Sequence, residues 1–252
     1  MTITTTLISG AGNTFHLVDD QGLILGEESR QKLAKNICSK YPADGLIFLK
    51  RDQNDFAWDF YNNDGSVAEM CGNATRCVGL FIHTMIDPAQ STWRLITKAG
   101  VIHIHCLSEI TFEVTMTPIS ETKSTLGFFC NTGVPHLVVP LQNFSDYKDH
   151  FERAKTLRFH EEFQPQGTNV TYIEKESATR MRAVSYERGV ENFTQACGTG
   201  AMAAAFYNLK MHGENETNVE MPGGTLIMNL QDLQKPRMTG PAIILGKYSY
   251  EF

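Results

Sequence analysis

The sequence predicts an α/β (α+β) chain made of two pseudo-symmetric domains from an internal duplication. Each is expected to be a sheet or barrel wrapped round a central helix, with the active site in the cleft between them. Three observations lead there. EMCGNATRC, ending at Cys77, and QACGTGAMA, from Gln195, carry the same Cys-Gly-polar element, and the step from Cys71 to Cys197 is 126, half of the 252 residues. Flanking segments recur at nearly that offset: GNTFHLV from Gly12 with GVPHLVV from Gly133, KAGVIHIHC from Lys98 with PGGTLIMNL from Pro222, and VTMTP with PRMTGP. The order of elements between them also repeats.

In each half an alternating strand is followed by a helix-like stretch, and then by a strand, ADGLIFLK or GTNVTYIEK. A further strand follows (FAWDFYNN, MRAVSYER), then a glycine turn, the Cys-Gly element, a helix and a pair of strands. The helices NATRCVGLFIHTMI and GAMAAAFYNLKMH are apolar enough to be buried, so strands are expected on several sides of each. The expected boundary lies near Pro118 and Ile119, giving residues 1–118 and 119–240. The last strand, from about Pro241, is expected to return to the first half.

Composition narrows the function. A hydrophobic content of 42% with 20% charged residues is that of a chain with a substantial core. A net charge of -6 and a pI near 5.8 leave no basic stripe to neutralise phosphates, so no nucleic-acid partner is expected. The first residues, MTITTTLISGAG, lack the basic and apolar regions of an export signal, and no run reaches the roughly 18 apolar residues of a membrane span. A cytoplasmic protein is the expectation. Six cysteines without a Cys-x-x-Cys pair or zinc-finger spacing predict neither a disulfide framework nor a metal site. No phosphate loop or dinucleotide fingerprint is present, so no cofactor is expected.

The two Cys-Gly elements carry the chemistry. A cysteine at a helix N-terminus meets unpaired N–H groups and the positive end of the macrodipole, which favour thiolate and predict a lowered pKa. The same N–H groups bind a carboxylate. Two such sites facing one another suit removal of a proton from a carbon next to a carboxylate, and its replacement from the opposite face. Taken singly, a cysteine ahead of a helix packs as a small apolar residue. Its recurrence in a duplicated setting favours catalysis for Cys71 and Cys197, whereas Cys38, Cys77, Cys106 and Cys130 lack that context.

NNDGSVAEMCGNATRC, YERGVENFTQACGTGAMAAA, GTNV, TGVPH and MPGGTL together resemble the diaminopimelate epimerase family of cofactor-independent amino-acid racemases, from Ser9 to Met238 and beyond. The resemblance implies Cys71 and Cys197 as the acid/base pair, with the reacting carboxylate on Gly72, Asn73, Gly198 and Thr199. It implies Asn13, Asn62, Asn169 and Arg188 at the substrate's far end, and His136 and Glu187 positioning the amine near the reacting carbon. Glu187 is thereby both a catalytic and a substrate-binding candidate. Asn62, in NNDG, also suits simple turn chemistry. Val134 stands where the family usually has Asn, and the tail ILGKYSYEF departs from the aromatic pattern of the family's dimer, so a homodimer is the implied assembly only by resemblance.

The implied reaction interconverts LL- and meso-2,6-diaminoheptanedioate in lysine and peptidoglycan-precursor synthesis. Two other readings stand beside it: a racemase of another polar amino acid, such as histidine, and a thiol redox protein using Cys71 and Cys197. The redox reading leaves Asn13, Asn62, Asn169 and Arg188 without a role.

Overall fold

A computed structural model describes residues 2–68 and 70–252; Met1 and Glu69, the latter opening the first cysteine motif, lie outside it. In chain order the elements are β1 (Thr2–Gly10), β2 (Asn13–Asp19), α1 (Glu27–Lys40), β3 (Gly45–Asp52), β4 (Asp55–Asn62), α2 (Gly72–Phe81), β5 (Thr92–Thr97), β6 (Gly100–Ser108) and β7 (Thr111–Thr115). They continue with β8 (Ser120–Thr122), β9 (Phe128–Asn131), β10 (Pro135–Pro140), α3 (Phe151–Arg158), β11 (Asn169–Lys175), β12 (Arg180–Glu187) and β13 (Asn192–Phe193). The last are α4 (Gly198–His212), β14 (Glu216–Met221), β15 (Gly224–Asn229), β16 (Arg237–Pro241) and β17 (Ile243–Glu251). The described chain divides into two compact units, one running up to Val114 and including Gly240–Phe252, the other Thr115–Thr239.

The first unit runs β17-β1-β2-β3-β4-β5-β6-β7, with pairings antiparallel, antiparallel, parallel, antiparallel, parallel, antiparallel and antiparallel. The second runs β8-β9-β10-β11-β12-β14-β15-β16 with the same succession. The duplication seen in the sequence is therefore a duplication of topology. The registers align residue by residue: Phe15 opposite Gly45 and Ile47 opposite Phe60 in the first unit correspond to His136 opposite Asn169 and Thr171 opposite Ser185 in the second.

Each unit holds one helix inside its strands and one on the outside. All ten residues of α2 are buried, and it packs on β1, β2 and β6. α4 touches β9, β10, β11, β12, β14 and β15, and its start is lined with glycine and alanine. Small residues are needed where helix and strand backbones approach closely. A Cβ on Gly10 of β1 would lie 2.7 Å from the Asn73 carbonyl oxygen and 3.0 Å from Cys77 Sγ, and one on Gly79 would lie 2.7 Å from an Ile104 methyl. α4 ends on Gly213 in the left-handed conformation (φ 81°), which a residue with a Cβ adopts at a cost.

The outer helices are amphipathic. α1 places Leu33, Ala34, Ile37 and Cys38 against Ile3, Val18, Leu46 and Phe48. α3 and the turn before it place Ala154 and Phe144 against Leu137, Val170, Tyr172 and Val184. Each large apolar side chain buried this way contributes about 1.5–3 kcal/mol. α1 also has Glu27 and Glu28 in its first turn and Lys40 in its last, the charge order its macrodipole favours. No described helix is long and apolar enough to cross a membrane.

Candidate active site

Cys71 and Cys197 occupy the same place in their units. Each is the residue before the first turn of the inner helix, in extended conformation (φ -146°, ψ 123° and φ -136°, ψ 101°). The Cys197 side chain turns back to the helix end and accepts the Gly200 N–H, whereas Cys71 makes no such side-chain cap; in both helices the first N–H groups have no partner within the helix. Gly72 and Asn73, and likewise Gly198 and Thr199, supply those N–H groups. All six cysteines are thiols, with Cys71 half-buried and Cys197 buried.

In the first unit a directed chain of hydrogen bonds sets the residues beside Cys71. Arg76 Nη2 donates to Asn73 Oδ1 at 2.9 Å, Asn73 Nδ2 donates to Asn13 Oδ1 at 2.6 Å, and Asn13 Nδ2 donates to Asp44 Oδ2 at 3.4 Å. The Arg76 guanidinium is fully buried; burial lowers its pKa to about 10, and the fields of Cys77 and Cys71 act the other way. It stays charged at neutral pH; its field acts against, without offsetting, the burial that pushes the Cys77 thiol up. Asn62 is engaged differently: its Nδ2 donates to Ser66 Oγ at 2.9 Å within the turn that follows β4.

In the second unit Thr199 Oγ1 lies 3.4 Å from Cys197 Sγ and 2.9 Å from His136 Nε2. The Gly200 N–H donates to Cys197 Sγ at 3.4 Å, as a helix cap does. Asn169 accepts the Arg188 N–H on Oδ1 at 2.8 Å and turns Nδ2 to His136 Nε2 at 3.3 Å. The Arg188 guanidinium donates to the Gln166 carbonyl at 3.3 Å, and Glu187 accepts a short hydrogen bond from the Thr194 hydroxyl. His136, Asn169, Glu187, Arg188, Cys197, Gly198 and Thr199 are thus gathered at one end of the second unit. Val134 sits in the turn before β10, between Gly133 and His136.

The lowered thiol pKa expected from the helix end does not hold for Cys197. Burial, followed by the Glu187 carboxylate, pushes it up, outweighing donation from Thr199, Gly200 and Ser185. The thiol is the resting form. His136 is also unlike a proton carrier: burial, and then the Arg188 charge, lower its pKa to about 3, so the ring is neutral at working pH. It touches the Thr199 hydroxyl and not the sulfur. Arg76, Thr171 and Ser185 escape the sequence reading. For Thr171 and Ser185 the available signal is strand parity, because Thr171 lies two residues from Asn169 and Ser185 two from Glu187, on the same faces; Arg76, inside the apolar α2, carries no such signal.

Likeness to solved structures defines the class of fold. The chain superposes on a phenazine biosynthesis protein of the PhzF family from Bacillus anthracis with a TM-score of 0.79, at 15% identity, over 100% of both chains. It superposes on a hydroxyproline epimerase from Agrobacterium vitis with a TM-score of 0.70, at 15% identity, over 99% of this chain and 91% of that one. Sequence then sets the family. The diaminopimelate epimerase family model matches residues 5–121 and 128–245. The diaminopimelate epimerase of Aquifex aeolicus (strain VF5) is 38% identical over 220 residues, 79% of this chain and 78% of its own. That of Hydrogenobaculum sp. (strain Y04AAS1) is 32% identical over 273 aligned positions, 98% of both. The chain belongs to the diaminopimelate epimerase family.

The His136 environment has a consequence for stability. Its folded pKa lies below the unfolded value of about 6.5, so the unfolded chain binds the extra proton first. Stability is complete above about pH 6.5 and is lost as pH falls toward 3, by about 2 kcal/mol at pH 5. Urea midpoints at pH 7 and 5 should show this loss in the wild type and a smaller one in His136→Gln. Equal losses would show that His136 does not carry the pH dependence.

Proposed function

We propose that this protein epimerises LL-2,6-diaminoheptanedioate to the meso form by proton transfer between two thiols, in lysine and peptidoglycan-precursor synthesis in the cytoplasm. One observation carries the reading: in a member of this family, each of two duplicated units starts its buried helix on a cysteine followed by glycine. Removing a proton next to a carboxylate builds negative charge on that carboxylate. N–H groups of Gly72, Asn73, Gly198 and Thr199 are the donors assigned to it, and such fixed donors cost no reorganisation as charge develops.

The proton balance is simple. One thiolate takes the α-hydrogen and becomes a thiol, while the other thiol gives its proton to the opposite face and becomes a thiolate. Inversion follows because the two protons use different faces, and both the acid and the base are side chains of the chain itself. The reading therefore calls for no metal and no cofactor. Arg188 is assigned to the distal carboxylate as a bidentate partner, and Asn13, Asn62 and Asn169 to the distal amino-acid end. His136, held neutral, orients Thr199; Glu187 is assigned to the ammonium beside the reacting carbon. The partner is a small amino acid, without nucleic acid or membrane, and the assembly is a homodimer.

Cys71→Ala and Cys197→Ala are each expected to abolish inversion of diaminopimelate, with full activity of the wild type surviving dialysis against EDTA. An active Cys197→Ala protein would remove the two-thiol mechanism.

Substrate choice is a separate matter. Val134 offers no amide where a hydrogen bond worth about 1 kcal/mol is usual, so racemisation of another polar amino acid is the competing reading. Arg188→Lys should lower kcat/KM for diaminopimelate at least tenfold more than for a monocarboxylic amino acid. An unchanged ratio would show that Arg188 does not read a distal carboxylate and would leave an amino-acid racemase with its substrate open.

A further inference from the structure

Behind Cys197 lies a row of hydrogen-bonding side chains that the register-equivalent positions of the first unit lack. The Arg188 N–H fixes Asn169 Oδ1, which leaves Asn169 Nδ2 as a donor to His136 Nε2. With Nε2 accepting, His136 carries its proton on Nδ1 and donates to Thr171 Oγ1 at 2.8 Å. Thr171 is then free to donate to Ser185 Oγ at 3.0 Å, and the Ser185 hydroxyl lies beside the Cys197 sulfur, on the side that favours its thiolate: the position of a Cβ on Gly200 is 2.0 Å from Ser185 Oγ and 3.3 Å from Cys197 Sγ. His136, Thr171 and Ser185 are each fully buried, so no water replaces a missing member. Glycine at position 200 leaves room for that approach. Register places Phe15, Gly45, Ile47 and Phe60 at the corresponding positions of the first unit, and none of their side chains donates a hydrogen bond.

We infer that Thr171 and Ser185 are positioning residues for the second thiol, holding a one-directional relay that lets Cys197 alternate between thiol and thiolate without moving a heavy atom. When Cys197 carries its proton, Thr199 donates to His136 Nε2. When the proton leaves, the Thr199 hydroxyl swings to the sulfur and Asn169 still covers Nε2. The thiolate then accepts from Thr199, Ser185 and the Gly200 N–H together. Three donors in place are needed because the surroundings otherwise oppose the charge: within this unit Glu187 faces the sulfur, His136 is neutral, and the Arg188 charge acts on His136. Cys71 lies in the field of the buried cation Arg76. The second thiol thus bears its charge through reorientable hydroxyls.

This rests on Cys197 being one of the two acid/base groups, so the test reads the thiol itself as well as turnover. Alkylation by iodoacetamide is followed at Cys197 and Cys71 by peptide mass in the full-length wild type, Thr171→Val, Thr171→Ser and Ser185→Ala, between about pH 7 and 9.5. Thr171→Val and Ser185→Ala should slow alkylation of Cys197 about tenfold at each pH, the effect of raising its pKa by about one unit, and leave Cys71 unchanged. Thr171→Ser should restore the wild-type rate. A packing role predicts the reverse ranking, since Val keeps the volume of Thr and Ser leaves a cavity. The basic limb of kcat/KM against pH should move with the alkylation rate. A Cys197 rate in Thr171→Val equal to wild type, or Thr171→Ser as slow as Thr171→Val, would overturn the inference. Normal relay behaviour with no turnover of diaminopimelate would instead overturn the substrate assignment alone.

Discussion

A helix that begins inside a protein leaves its first N–H groups with no water to bond, and that constraint governs each unit. An orphaned buried donor costs about 1–3 kcal/mol, so the start of such a helix must meet a cap, a neighbour or a ligand. Cysteine occupies the N-cap position of both α2 and α4, and at α4 its sulfur takes the Gly200 N–H. The glycines and alanines that follow are there because strand backbones and polar side chains approach within the space of a Cβ. The remaining helix-end donors are available for an anion, which is why fold and proposed chemistry meet at one place.

Duplication gave the chain two such helix starts, yet their surroundings have diverged. The backbone pairing of the two units is the same in order and direction, whereas the side chains behind the thiols are not. Around Cys71 a buried arginine, two asparagines and an aspartate form a chain from cation to anion. Around Cys197 the corresponding helix position is Met202, and neutral hydroxyls, an amide and an imidazole take over. A reaction that proceeds in both directions requires each sulfur to be acid in one and base in the other. Unequal surroundings are compatible with that requirement so long as each sulfur has some means of bearing charge.

Much of this was legible in the sequence because it is written locally. A cysteine, a glycine and an apolar run announce a buried, capped helix, and period-two strands around it announce the wrapping sheet. Recurrence at a constant offset announces the duplication and the paired Cys-Gly helix starts. What the sequence hides is long-range: Arg76 lies in an apolar helix, and only its fully buried place beside Asn73 shows that its charge is spent inside. Thr171 and Ser185 are separated by fourteen positions and meet through antiparallel pairing. The thiol pKa of Cys197 depends on a balance of burial and Glu187 against three donors, and motif reasoning sees only the donors.

The most direct test of the two-thiol account is isotopic. LL-diaminopimelate is incubated with the enzyme in D₂O, and the initial product and remaining substrate are separated and weighed by mass spectrometry. Two bases on opposite faces predict that the first meso product carries one deuterium at the inverted carbon while the unreacted LL isomer stays protiated. Product that retains its original hydrogen, returned by a single base, would contradict the account.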